Sequence, residues 1–202
     1  MADAVQIASA IARLAAPDRA LRDHGMRALH TAGVALSADV VEAWCTEAEF
    51  RGLIRPVHAA SAAQTSLSSA IVVGIAVTPN NFERIHRAHA SPPLSAVPPS
   101  QDAREFELHL GDDVHIDVLT SRDPAGAGAI ARYLQRFGEG IQQIELYVRD
   151  VDRATEILRE RFAVAPIYPE SQLGAESTRV NFFLVPTSAG KKLLIELVEP
   201  RD

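Results

Sequence analysis

A pattern that occurs twice constrains this chain more than any other feature. Residues 139–200 read as strand, helix, then strands. Ile141, Ile144, Leu146 and Val148 form an apolar β-like run, and Val151, Ala154, Ile157, Leu158 and Phe162 follow at helical spacing. The β-rich runs RVNFFLVP and KKLLIELVEP come next. A weaker copy lies at residues 70–120. Ile71 to Val77 reads as a strand, Pro79 to Ala88 as a helix, and REFELHLGDDVHIDVL as a hairpin. Two copies of one small unit predict a curved sheet around a shared pocket, with about four strands per copy. The second strand of each copy is the weakest, since residues 91–101 hold four prolines and read as an edge or a loop. Residues 125–136 read as a helical bridge between the copies.

The first third of the chain has a different character. Residues 1–60 are Ala-rich and helical in period, and residues 61–69 are small and polar, as in a linker. Asp3 is a candidate cap for a first helix with Val5, Ile7, Ala8, Ile11 and Leu14 on one face, and Pro17 ends it. A second helix is expected from Asp18 to Thr31, ended by Gly33. A third, capped by Ser37, carries Val40, Val41, Trp44 and Phe50, a candidate apolar surface for a homodimer.

Bulk properties exclude several function classes. A net charge of −6 argues against a nucleic-acid partner, which needs a basic face. A single cysteine, Cys45, allows neither an intrachain disulfide nor a multi-thiolate metal site; beside Trp44 it reads as core. No apolar run reaches the roughly 18 residues of a membrane span, and the amino terminus lacks the pattern of a signal peptide, so a cytoplasmic protein is expected. His86 and His89 read as surface residues, and Glu156 and Glu160 with Arg153, Arg159 and Arg161 as a solvated helix face.

Four stretches carry a family likeness: VGIAV at 73–77, HLGDDVHIDVL at 109–119, AIARYLQRFGEGIQQIELYVRDVDRATEIL at 129–158, and RVNFFLVPTSAGKKLLIELVEP at 179–200. In this order they resemble the vicinal-oxygen-chelate (glyoxalase and bleomycin-resistance) superfamily, and within it the methylmalonyl-CoA epimerases. The resemblance covers residues 70–202 and leaves out residues 1–69. It implies an α+β fold in which paired βαβββ units form a curved mixed sheet around a metal-binding cleft, here with an N-terminal helical extension. It also implies a ligand set. The family's first His falls on Val72, its strand carboxylate or amide on Asp117, its second His, just after GEGI, on Gln143, and its last Glu on Glu196. The pattern stands at Asp117 and Glu196, softens at Gln143 and is absent at Val72.

The residues themselves point the same way. Side chains alternate along a strand, so His115 shares a face with Asp117, and Gln143 with Glu145. Glu196 is flanked by Leu194, Ile195, Leu197 and Val198, and a carboxylate in so apolar a run is costly unless paired, protonated or bound to a cation. If the copies are related by a pseudo-twofold, Asp117 and Glu196 meet in one cleft. Such a cluster can hold a hard divalent cation through Asp117, Gln143 and Glu196. Losing imidazole shifts preference from Zn toward Mg, Mn or Ca, or toward no metal. Alternatively, one carboxyl has its pKa raised by another and serves as a general base. The candidate catalytic residues are Glu196, Asp117, Glu145 and His115. Other readings stay open: Glu196 facing solvent, His115 and Asp117 as hairpin surface partners, Gln143 as a core amide, and Glu145 paired with Arg179 or Lys192.

Three functions follow. The first is an isomerase or lyase that abstracts a proton next to a carbonyl or thioester. The second is a small-molecule binding or resistance-type protein without catalysis. The third is a degenerate scaffold that binds a partner protein through its N-terminal helices.

Overall fold

The chain begins with three helices, α1 (Ala4–Leu14), α2 (Arg19–Trp44) and α3 (Ala48–Leu53). The first copy of the repeat follows as β1 (Ile71–Ala76), α4 (Pro79–Ala88), β2 (Arg104–Leu110) and β3 (Val114–Thr120). Helix α5 (Ala129–Phe137) bridges to the second copy: β4 (Gly140–Tyr147), α6 (Val151–Phe162), β5 (Gln172–Leu173), β6 (Arg179–Pro186) and β7 (Lys192–Glu199). This is a computed structural model, and it describes residues 4–57, 67–99, 101–188, 190 and 192–201. Asp3 and most of the expected linker therefore lie outside the described residues.

All seven strands share one sheet in the order β2-β3-β1-β4-β7-β6-β5. The first strands of the two copies, β1 and β4, pair antiparallel at its centre. Outward from them the pairing repeats: β1 is parallel to β3 and β4 to β7, while β3 is antiparallel to β2 and β7 to β6. The duplicated sequence thus becomes a twofold arrangement about the β1–β4 seam, a curled half-barrel of mixed strands. The second copy has four strands. Among the described residues the first has three, because those of the proline-bearing segment after α4 form no strand; proline cannot donate to a ladder.

Period-two alternation sends one set of side chains to the helix-covered face. Val73 and Ile75, Phe106 and Leu108, Ile116 and Val118, Ile144 and Leu146, Phe183, Ile195 and Leu197 are all buried there. Helix α2 lies across β3, β1 and β4. It is one unbroken helix of 26 residues, not the two expected. Asp18 caps it, its Oδ1 accepting from the Ala20 and Leu21 N–H groups at 2.7 and 3.2 Å. Gly33 ends nothing. A Cβ there would stand 2.4 Å from Val73 Cγ2 and 3.1 Å from Ile144 Cδ1, so its bareness lets the helix rest on the β1–β4 seam. Ser37 caps nothing either; its hydroxyl donates to the Gly33 carbonyl at 3.1 Å within the helix. Gly33→Ala is expected to lower unfolding free energy by about 1–3 kcal/mol through this clash, although alanine is the better helix former by about 1 kcal/mol. Denaturant titration checks the sign, and a more stable variant would refute this account of Gly33.

The candidate dimer surface is also corrected. Val41, Trp44 and Phe50 are buried in the chain's own core, and Trp44 meets Phe50 and Phe183 edge-on at centroid distances of 5.7 and 6.3 Å. The 26-residue helix turns Val41 and Trp44 inward and α3 does the same for Phe50, so these three cannot form an apolar face for a second copy. On the first helix Val5 is exposed, while Ile11 and Leu14 are buried. His86 and His89 are tethers, with Nε2 atoms 2.7 Å from the Pro92 carbonyl and 3.0 Å from the Leu14 carbonyl. Cys45 is buried in the core. No helix among the described residues is long and apolar enough to cross a membrane.

Candidate active site

The opposite face of the sheet lines a hollow of about 560 Å³. Register decides what meets there. Gly74 on β1 lies between Asp117 on β3 and Gln143 on β4. Glu107 is opposite Asp117, Glu145 is beside Glu196, and Phe182 is opposite Glu196. Glu105, Gln142, Tyr147, Leu194 and Val198 also line the wall. Three hydrogen bonds join the copies across the hollow: the Ala96 N–H donates to Glu176 Oε1 at 2.7 Å, the Glu176 N–H donates to the Ala96 carbonyl at 3.3 Å, and the Gln101 amide donates to the Leu173 carbonyl at 3.2 Å.

Two local features aim Gln143 into this space. Gly74 has no side chain to obstruct it, for a Cβ there would stand 2.5 Å from Gln143 Cγ. The β1–β4 register also slips, from Gly74 opposite Gln143 to Ile75 opposite Ile141, so Gln142 is the extra residue of a β-bulge. Both glutamines line the hollow as a result, and Gln142 Oε1 is buried with no hydrogen-bond partner among the described residues.

The Gln143 amide nitrogen donates to Glu196 Oε2 at 2.8 Å and to Glu145 Oε1 at 3.1 Å. Glu145 in turn shares a hydrogen bond with Asp117, which requires one of these carboxyls to carry a proton. Asp117, Gln143, Glu145 and Glu196 are between 7% and 9% exposed, so little water shields their charges. Burial first, and then the neighbouring carboxylates, hold Asp117 and Glu196 well above the usual carboxylate range. Burial and the Glu105 charge push Glu145 up to about 8. Burial pushes Glu107 to about 7, and burial with the charges of Glu176 and Glu107 does the same for Glu105. The charged groups acting on Asp117, Glu145 and Glu196 are all carboxylates. Near neutral pH the cluster therefore holds both proton donors and proton acceptors within hydrogen-bonding reach of each other.

Of the residues singled out from sequence, Asp117, Gln143, Glu145 and Glu196 come together. Val72, where the resemblance implies a His, is buried in register with Glu145 and gives the acids an apolar neighbour. His115 is fully buried but does not line the hollow. It lies edge-on to His109, the rings 5.1 Å apart. Glu145 does not pair with Arg179, which bonds Asp152 and Glu199 instead. Sequence reading missed Glu105, Glu107, Gln142 and Tyr147. The alternation of Glu105, Glu107 and His109 with Phe106 and Leu108 placed those polar residues on one face, and the same parity extends Gln143 and Glu145 to Tyr147.

No family model and no curated protein sequence matches the chain. Solved structures do. The chain is similar to a methylmalonyl-CoA epimerase from Mycobacterium tuberculosis at 33% identity and a TM-score of 0.55, over 72% of this chain and 97% of that one. It is similar at 25% identity and a TM-score of 0.54 to a methylmalonyl-CoA epimerase in complex with methylmalonyl-CoA and NH4+, over 66% of this chain and 95% of that one. A variant of the Streptomyces coelicolor methylmalonyl-CoA epimerase in complex with 2-nitronate-propionyl-CoA matches with the same identity, coverage and TM-score.

Proposed function

Since the chain belongs to the vicinal-oxygen-chelate superfamily, we propose that it is a cytosolic isomerase that moves a proton on the carbon next to a thioester carbonyl. The observation that carries this reading is the Gln143 amide holding Glu145 and Glu196 together at 3.1 and 2.8 Å inside a buried acid cluster. Epimerisation needs a base on one side of the reacting carbon and an acid on the other. Two buried carboxyls with raised pKa values, joined through the Gln143 amide, supply both at neutral pH. Asp117, bonded to Glu145, holds that side chain in place and shares its proton. Tyr147, Phe182, Leu194 and Val198 exclude water from the same space.

The donor set also suits a hard divalent cation. Asp117, Gln143 and Glu196 offer carboxylate and amide oxygens, the charges acting on the acids among the described residues are carboxylates, and protonation of the acids stands in for the charge a cation would bring. These three residues would hold Mg, Mn or Ca in preference to Zn, and the ion would supply charge to stabilise the enolate oxygen. Glu145 then remains as the acid–base group.

The test is exchange in D2O. Methylmalonyl-CoA, the thioester seen in a related complex, is incubated with the protein, and deuterium at its α-carbon is followed by mass spectrometry. Incorporation well above the enzyme-free rate is expected. A second reading, binding without turnover, is favoured by Val72 and Gln143 standing where the resemblance implies imidazoles. Saturable thioester binding with α-exchange at the background rate would replace the first reading by the second.

A further inference from the structure

The β2–β3 hairpin brings Glu107, His109 and His115 together, with one ligand atom from each within 4.8 Å of the others. None of the three falls on a family ligand position. His109 and His115 are a direct cross-strand pair, and Glu107 lies two residues away on the same face of β2. From these contacts we propose a second metal site, specific for a divalent ion that prefers imidazole, at the edge of the hollow.

Three observations support it. The Nε2 of His115 stands 3.1 Å from the backbone carbonyl of Asp112, a partner that can only accept, so Nε2 carries the ring's proton and Nδ1 is left as a lone pair. A hydrogen bond from the far nitrogen to a backbone carbonyl is the support that metal-ligating histidines characteristically have. The Nδ1 atoms of His109 and His115 are 2.9 Å apart, so both face one point. The third ligand is Glu107 Oε1, a buried oxygen with no hydrogen-bond partner among the described residues, 3.9 Å from His115 Nδ1. A buried carboxylate oxygen left without a donor is costly unless a cation meets it.

The protons balance without any further reactant. Without a metal, one hydrogen lies between the two Nδ1 atoms, on His109. On metal binding it moves to His109 Nε2, which faces Glu107 Oε2 at 3.4 Å and donates toward it. The ion then takes two imidazole nitrogens and one carboxylate oxygen and keeps an open position, the ligand pattern of Zn and its neighbours Co and Ni. The oxygen-only cluster at Asp117 and Glu196 has no such preference. Since Glu107 also lines the hollow, the ion would fix one wall of it and tie the hairpin shut.

Isothermal titration of the full-length, chelator-treated protein with ZnCl2, alone and in excess MgCl2, tests the site. The same titration is run on His109→Gln and Glu196→Gln. His109 is exposed, so its replacement leaves the core untouched. One equivalent of Zn is expected to bind in excess Mg, to weaken by at least about tenfold in His109→Gln, and to persist in Glu196→Gln. Cobalt substitution is expected to give visible d–d bands that His109→Gln abolishes. No Zn binding, binding unchanged in His109→Gln, or binding lost only in Glu196→Gln would each overturn the site. The last result would place the ion in the acid cluster instead. The site does not depend on the isomerase reading, because neither readout measures turnover.

Discussion

Replacing Glu196 by Gln is expected to lower α-proton exchange of a thioester substrate by about 10²–10⁴-fold, the range that loss of a positioned acid–base group produces. The fold is expected to survive. Gln is nearly isosteric, and the Gln143 amide keeps an acceptor, because the new side chain still presents a carbonyl oxygen at the 2.8 Å contact. One source of repulsion in the acid cluster also disappears, so the melting temperature at pH 8 is expected to rise, not fall. The two readouts separate the explanations. Lost exchange with an intact or raised melting temperature assigns Glu196 to the chemistry. Exchange at the wild-type rate would remove it from the mechanism. Lost exchange with a large drop in melting temperature would make it a structural residue.

The second large effect is the pH dependence of stability, and its sign is opposite to that of ordinary acid denaturation. Burial raises Glu107 to about 7, and burial with neighbouring carboxylates raises Glu105 to about 7 and Glu145 to about 8, against 4.5 for an exposed glutamate. Between those values the folded chain holds protons that the unfolded chain has released. Stability therefore falls as pH rises through this window, at about 1.4 kcal/mol per pH unit for a group that stays fully protonated only in the fold. Asp39, Glu49 and Asp152, lowered mainly by hydrogen bonds to Ser188, Arg153 and Arg179 respectively, act the other way and only below about pH 4.5. His30 and His89, lowered mainly by burial, also act the other way, below about pH 6.5. The metal-free protein should accordingly melt at its highest temperature near pH 6 and lose stability from there to pH 8. MgCl2 or MnCl2 should restore much of the loss at pH 8 by replacing protons with a cation. A melting temperature that climbs from pH 6 to pH 8 would show that the acids are solvated in the folded chain.

The elements with strong periodicity were legible in the sequence. Strand β1, helix α4, the β2–β3 hairpin, helix α6 and strands β6 and β7 lie where the alternation places them, because one buried face imposes a period of two or 3.6. Helix α2 was not, because Gly33 and Ser37 look like punctuation locally. The role of Gly33 comes from Val73 and Ile144 pressing on the helix, a contact made across some 40 to 110 residues of sequence, and Ser37 turns its hydroxyl back onto the helix at the Gly33 carbonyl. The site was partly legible. Strand parity and the resemblance pointed to Asp117, Glu145 and Glu196, since parity is local. Register is not local. Nothing within β2 alone shows that Glu107 lies opposite Asp117 or that His109 meets His115, and so His115 was grouped with the acids instead of with its true neighbour. The bulge at Gln142 was equally hidden, since it exists only as a mismatch with β1.

The closure of the hollow has a consequence for how the proposed thioester would get in. One side is the β1–β4 ladder, interrupted by its bulge and backed by a 26-residue helix. The other is fastened by two short contacts, Ala96 with Glu176 and Gln101 with Leu173 at the end of the two-residue strand β5. Hydrogen bonds of this kind contribute only about 0.5–1.5 kcal/mol each. The molecule is thus hinged like a locket, stiff along its spine and lightly latched at the front. A ligand entering the hollow from the front would have to lift this latch, and replacements at Gln101, whose side chain bonds Leu173, are expected to change size selection.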